Sequence, residues 1–108
     1  MTTETWGTMT WLMEDAIEPG AGLSLARMTV KAGHTSPAHH HPNCTETIHV
    51  LAGEIEERIG EGWITASTGD TVLIPIDSVH QTRNVGEDDA VLIVAYSAGA
   101  RIYQEVDS

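Results

Sequence analysis

Apolar and polar residues alternate with a period of two along most of this chain. The segment Leu23 to Lys31 puts Leu23, Leu25, Arg27 and Thr29 on one face, and Ser24, Ala26, Met28 and Val30 on the other. Strand side chains point alternately to opposite faces, so this alternation and its β-branched content predict a strand. The same reading places strands at Thr47 to Ala52, Ile55 to Ile59, Trp63 to Ala66, Thr71 to Ile74 and His80 to Val85. Ala90 to Tyr96 is apolar throughout, which predicts a strand buried on both sides. Arg101-Ile102-Tyr103 predicts a short final strand. No segment holds the helical period over three turns.

Turn residues punctuate these runs. Gly53-Glu54 ends one strand, Gly60-Glu61-Gly62 forms a hairpin turn, and Gly86-Glu87-Asp88-Asp89 a charged one. Many short strands separated by such turns mean an all-β sandwich or barrel. Residues 1–20 read differently. Trp6, Met9 and Trp11 are followed by an acidic loop through Glu14, Asp15 and Glu18. Two exposed tryptophans near a terminus would be costly, so this stretch is expected to pack somewhere, as a short strand or as an N-terminal arm across a partner subunit. The barrel domain is then expected at residues 21–108.

Size and charge narrow the classes. A chain of 108 residues is one domain, burying roughly 60–70% of its unfolded surface. Sixteen acidic against five basic residues leave a net charge of −11, which argues against nucleic acid and anionic membranes. No apolar run approaches the length of a membrane span, and the first residues lack the basic and apolar regions of a signal peptide. The single cysteine, Cys44, cannot form an intrachain disulfide. A reducing cytoplasm is the expected setting.

The chemistry concentrates between Gly33 and Gly53, which hold five of the six histidines. On an extended strand His39 and His41 project to the same face. Glu46 follows once Pro42, Asn43 and Cys44 have bent the chain, and His80 opens a later strand as the natural fourth ligand. Imidazoles with a carboxylate suit one divalent transition metal, among Fe, Mn, Co, Ni, Cu and Zn.

These residues carry a family resemblance. Gly33, His39, His41, Glu46 and Gly53 are spaced as in the first motif of the cupin superfamily, and Gly69, Pro75, His80 and Asn84 as in its second. Asp77 stands where the family usually has Gly, at a turn that often needs a positive φ, which Asp tolerates. The resemblance implies a double-stranded β-helix, the jelly-roll barrel of two antiparallel sheets, with the metal inside one open end. It also implies a homodimer and a small-molecule ligand or substrate. A metal-dependent enzyme with dioxygenase-like oxygen chemistry on a small, oxygen-rich substrate is the first expectation. A metal-dependent isomerase or lyase, or a non-catalytic ligand-binding cupin, is the alternative.

Strand alternation sorts the neighbours. Ile48 and Val50 share the face of Glu46, so His49 points away from the site, as does His40. His34 belongs to a solvated turn. Thr82 shares the face of His80 as pocket wall or ligand partner, and Asn84 resembles the family's structural asparagine. Arg27 would grip a substrate carboxylate if its face is interior, in which case Met28 is outside. Cys44 reads as a small turn residue. Ser78 near His80 lacks the surroundings of an activated nucleophile.

Overall fold

A computed structural model describes residues 1–107. These contain eleven strands and no helix: β1 (Thr2–Glu4), β2 (Gly7–Met13), β3 (Ser24–Val30), β4 (His39–His40), β5 (Glu46–Ala52), β6 (Glu54–Ile59), β7 (Gly62–Ser67), β8 (Thr71–Ile74), β9 (His80–Asn84), β10 (Ala90–Tyr96) and β11 (Gln104–Glu105). One sheet has the order β1-β2-β3-β10-β5-β8 and the other β11-β4-β9-β6-β7. Every strand pairing is antiparallel. From β3 onward the chain shuttles between the two sheets, which is the winding of a jelly-roll barrel.

Alternation decides which residues fill the space between the sheets. Ala26, Met28 and Val30 of β3 face inward with Ile48 and Val50 of β5, and Leu92 and Val94 of β10. Ile55 from the facing sheet and Cys44 from the turn before β5 complete the contact. Fully burying a large aliphatic side chain contributes about 1.5–3 kcal/mol, so this face holds the sheets together. The outer residues of β10, Val91, Ile93 and Ala95, are only half-buried, because no further layer among the described residues covers them. The expectation of burial on both sides thus holds for one face.

At the N-terminus the strand alternative is the one the fold takes. Residues 2–13 form β1 and β2, and β2 pairs with β3 from Gly7↔Val30 onward. Trp6 and Trp11 pack against this chain's own core. They find apolar cover within the barrel, and this stretch joins the first sheet. Gly7 makes this pairing possible: a Cβ there would lie 1.8 Å from the Thr29 carbonyl oxygen.

The predicted final strand is displaced as well. Residues 101–103 are not strand; the pairing residues are Gln104 and Glu105, opposite His40 and His39. The intervening loop crosses one end of the barrel and reaches the histidines.

Candidate metal centre

Four side chains converge where the two sheets meet at that end. β4 supplies His39 and leads into His41, β9 begins with His80, and β5 begins with Glu46 from the opposite sheet. One ligand atom from each lies within 4.8 Å of the others. His39 and His80 are register partners across β4 and β9, with ring centroids 4.2 Å apart. The turn Pro42 to Thr45 carries the chain between sheets, letting Glu46 face histidines close to it in sequence.

Backbone carbonyls set the tautomers. Nδ1 of His39, His41 and His80 lies 2.8, 2.8 and 2.9 Å from the carbonyl oxygens of Pro37, Ile102 and Ser78. A carbonyl oxygen only accepts, so each Nδ1 donates and Nε2 is left as the inward-facing nitrogen. Nε2 of His41 and of His80 lie 3.1 and 2.9 Å from Glu46 Oε1. Lone pairs on buried nitrogens facing a carboxylate repel unless a cation or a proton lies between them. The donor set therefore fits a divalent metal on its own chemistry.

Without a metal, protons do this work. Burial alone would raise Glu46, yet hydrogen bonds from His41 and His80 hold its carboxyl down at about 2. Burial would lower His80, but its hydrogen bond and attraction to Glu46 raise it above the ordinary imidazole range. His39 is lowered to about 3, first by burial and then by the charge of His80. His39 is thus ready to offer a neutral ring.

The remaining sequence expectations sort cleanly. His49 points away from the site and hydrogen-bonds Thr71 Oγ1 at 2.8 Å. His40 turns outward to Asp77 Oδ1 at 2.5 Å. Asp77 has φ 62°, and its backbone N–H donates to the His41 carbonyl at 3.1 Å. The residue that replaces the family's glycine thus adopts the glycine conformation and ties down the histidine segment. His34 is exposed, with its ring bonded to the Ala32 carbonyl. Asn84 is structural, donating to the carbonyls of Val30 and Asp88. Cys44 is buried, and burial raises its thiol pKa.

Thr82 lies on the wall of the cavity beside His39, Glu46 and His80. Arg27 does not. It is exposed on the outer face of β3, while Met28 lines the cavity. Alternation permits only one of the two inside, and burying an unpaired guanidinium costs far more than burying a thioether. The substrate-binding expectation for Arg27 is therefore corrected.

Four residues near the site escaped the sequence reading. Glu57 is fully buried on β6, in register with Thr82, whose hydroxyl donates to its Oε1 at 2.5 Å. Its Oε2 has no partner among the described residues. Burial pushes Glu57 well above the usual carboxyl range, and the charge of Glu46 adds to this. The signal was present: Glu57 falls in phase with the inward residues Ile55 and Ile59. Tyr96 is buried opposite Glu46 in the β5–β10 register, its ring edge-on to His41 with centroids 5.1 Å apart. Arg101 and Tyr103 arrive on the loop after β10. Tyr103 lies against His39 at 4.6 Å, and both residues line the cavity. Nothing in local periodicity could place a loop over a distant site.

The cavity measures about 40 Å³ and reaches His39, Glu46 and His80. Trp6, Met9, Met28 and Tyr96 make most of its remaining wall apolar. A site held by four protein ligands thus has open space along one side.

Comparison with known proteins agrees with this geometry. Germin-like protein 3-8 of Oryza sativa subsp. japonica is 31% identical over 86 residues, covering 71% of this chain and 36% of that protein. The chain thus spans little more than a third of that relative. A solved structure of recombinant oxalate oxidase in complex with glycolate superposes with a TM-score of 0.85 at 26% identity, covering 96% of this chain and 57% of the other. Oxalate decarboxylase of Lactobacillus farciminis superposes with a TM-score of 0.89 at 17% identity over 97% of this chain and 32% of the other, a likeness of fold. The model of the cupin domain matches residues 26–96. That span contains both histidine strands, Glu46 and the barrel around them, and the chain belongs to the cupin domain family.

Proposed function

We propose that this chain is a metal-dependent oxidoreductase acting on a small, oxygen-rich organic substrate, with dioxygenase-like oxygen chemistry as the specific reading. The observation that carries it is the cavity beside the ligand set. A purely structural ion is enclosed by protein on all sides, whereas here three of the four ligands border open space. The likeness to an oxalate oxidase at 26% identity supports an oxidase over other cupin activities.

A redox-capable divalent metal, when bound, supplies Lewis acidity and a means of engaging O₂. The chain's own residues prepare the site. His39, His41, Glu46 and His80 would hold the ion, and the Pro37, Ile102 and Ser78 carbonyls orient the three rings. Trp6, Met28 and Tyr96 keep bulk water from the cavity and strengthen the electrostatics within it. Thr82 presents a hydroxyl anchored to Glu57 on the cavity wall.

Elemental mass spectrometry on untagged protein tests the reading, with His80→Ala in parallel. The expected result is near-stoichiometric Fe or Mn that is absent from the variant, followed by oxygen uptake with small hydroxy and keto acids. Stoichiometric Zn or Ni without oxygen uptake would shift the assignment to an isomerase or lyase. A wild type that takes up no metal after reconstitution would leave a ligand-binding barrel.

A further inference from the structure

Arg101 is an uncommitted cation in an acidic protein. The chain has sixteen acidic and five basic residues, yet no carboxylate among the described residues pairs with Arg101. Its one hydrogen bond among them goes to Met9 Sδ at 3.7 Å, a weak acceptor. Arg83, by contrast, pairs with Glu56 at 2.6 Å. Arg101 is instead held by aromatic faces. Its guanidinium carbon lies 5.1 Å from the ring centroids of Trp11 and of Tyr96, and 4.9 Å from that of Tyr103. Contacts of this kind fix the plane of a guanidinium while leaving its N–H fork unused.

Arg101 is also the single Lys or Arg lining the cavity that reaches His39, Glu46 and His80. Two neighbouring clefts, one toward Glu14 and Gly99 and one toward Thr2 and Glu105, are lined by Arg101 as well. It therefore stands where solvent-filled space meets the site. The cavity of about 40 Å³ shares Trp6, Met9, Pro37 and Tyr103 with the second of these clefts, so the site is reached past Arg101.

We propose that Arg101 is the carboxylate anchor of this cavity, gripping a small organic acid whose remaining oxygen faces the histidine cluster. A planar fork with free donors matches a carboxylate bidentately, and the aromatic faces around it hold the fork in one orientation. Arg101 acts by positioning and specificity. The chemistry at the substrate's other end rests on the metal-site reading above; the anchor itself does not.

The test uses the full chain loaded with Zn(II), which is diamagnetic, and glycolate with its neutral isostere glycolamide as probes. Calorimetry is expected to show glycolate binding about ten- to a hundredfold weaker in Arg101→Met, the range for a lost charged hydrogen bond. Glycolamide affinity and zinc content should be unchanged. Arg27→Met, on the outer face, should match the wild type. In the wild type, glycolate and not glycolamide should shift the Arg101 Nε–H resonance, which needs no variant to fold. Equal glycolate affinity in wild type and Arg101→Met would overturn the anchor. So would equal weakening of both probes, the mark of a merely structural arginine, or an Nε–H resonance indifferent to glycolate. If the wild type holds no zinc, the metal reading fails separately, and the same resonance measured in metal-free protein still decides the anchor.

Discussion

Two carboxyls share the interior of this barrel and meet opposite fates. Glu46 and Glu57 are both essentially inaccessible to solvent. Glu46 faces two imidazoles and is held ionised, with its pKa near 2. Glu57 has one threonine hydroxyl for company, leaves one oxygen unpaired, and is pushed toward the neutral acid. Burial is the same for both, so partners decide the charge state. Glu46 sits where strands from two sheets bring three histidines together. Glu57 sits on β6, opposite Thr82, two residues beyond His80 on β9. The polar end of the barrel is thus a charged cluster prepared for a cation, backed by a carboxyl that burial pushes toward its neutral form.

The largest way to break this contrast is to remove an imidazole. His41→Ala deletes a ligand, a hydrogen bond to Glu46 and the link to the Ile102 carbonyl that ties down the C-terminal loop. Metal content should fall to background. Thermal stability should fall by at least the binding contribution, about 2.7 kcal/mol for a metal at a hundred times its Kd. Differential scanning calorimetry with and without chelator measures both parts. A variant with wild-type metal content would remove His41 from the ligand set.

The contrast sharpens in the pH dependence of metal-free protein. Glu46 has a folded pKa below its unfolded value, so its stabilisation is present above about 4.5 and is lost as pH falls toward 2. Glu57 has a folded pKa above its unfolded value, so stability is lost as pH rises from about 4.5 through the folded pKa. Glu57→Gln keeps the neutral shape and should raise the melting temperature at pH 8 by a few degrees, with little change at pH 4. Glu46→Gln should be destabilising at pH 8 and flatten the acid limb. Parallel pH profiles for the two variants would show that the two carboxyls do not differ as described.

The smallest effect belongs to His49, which neighbours Ile48 but faces outward. His49→Ala loses one hydrogen bond to Thr71 and should change stability by no more than about 0.5 kcal/mol, as surface substitutions do. Metal content should equal that of the wild type. Loss of metal in this variant would shift the β5 register by one residue.

The legibility of this site in the sequence followed the range of the interactions. Alternation within a strand is a local property of the backbone. It put His39 and His41 on one face, Glu46 with Ile48 and Val50, and Thr82 with His80, and it turned His49 and His40 away. The positive φ of Asp77 was equally local. Family spacing then joined the two histidine strands and named the barrel. The same alternation left Arg27 and Met28 undecided, because a strand has two faces and only the opposite sheet says which is inside.

What tertiary structure alone decided lies beyond the reach of neighbouring residues. Between strand and arm it chose strands β1 and β2 for the N-terminus, since Trp6 and Trp11 found apolar cover within their own chain. The loop after β10 came to rest over the histidines, held by Asn43 and by pairing with β4. That loop delivered Arg101 and Tyr103, far in sequence from every ligand but His80, to the cavity wall. Charge states belong here too. The sequence lists Glu46 and Glu57 as equals; only the groups that folding sets opposite them pull one carboxyl pKa down and let burial push the other up.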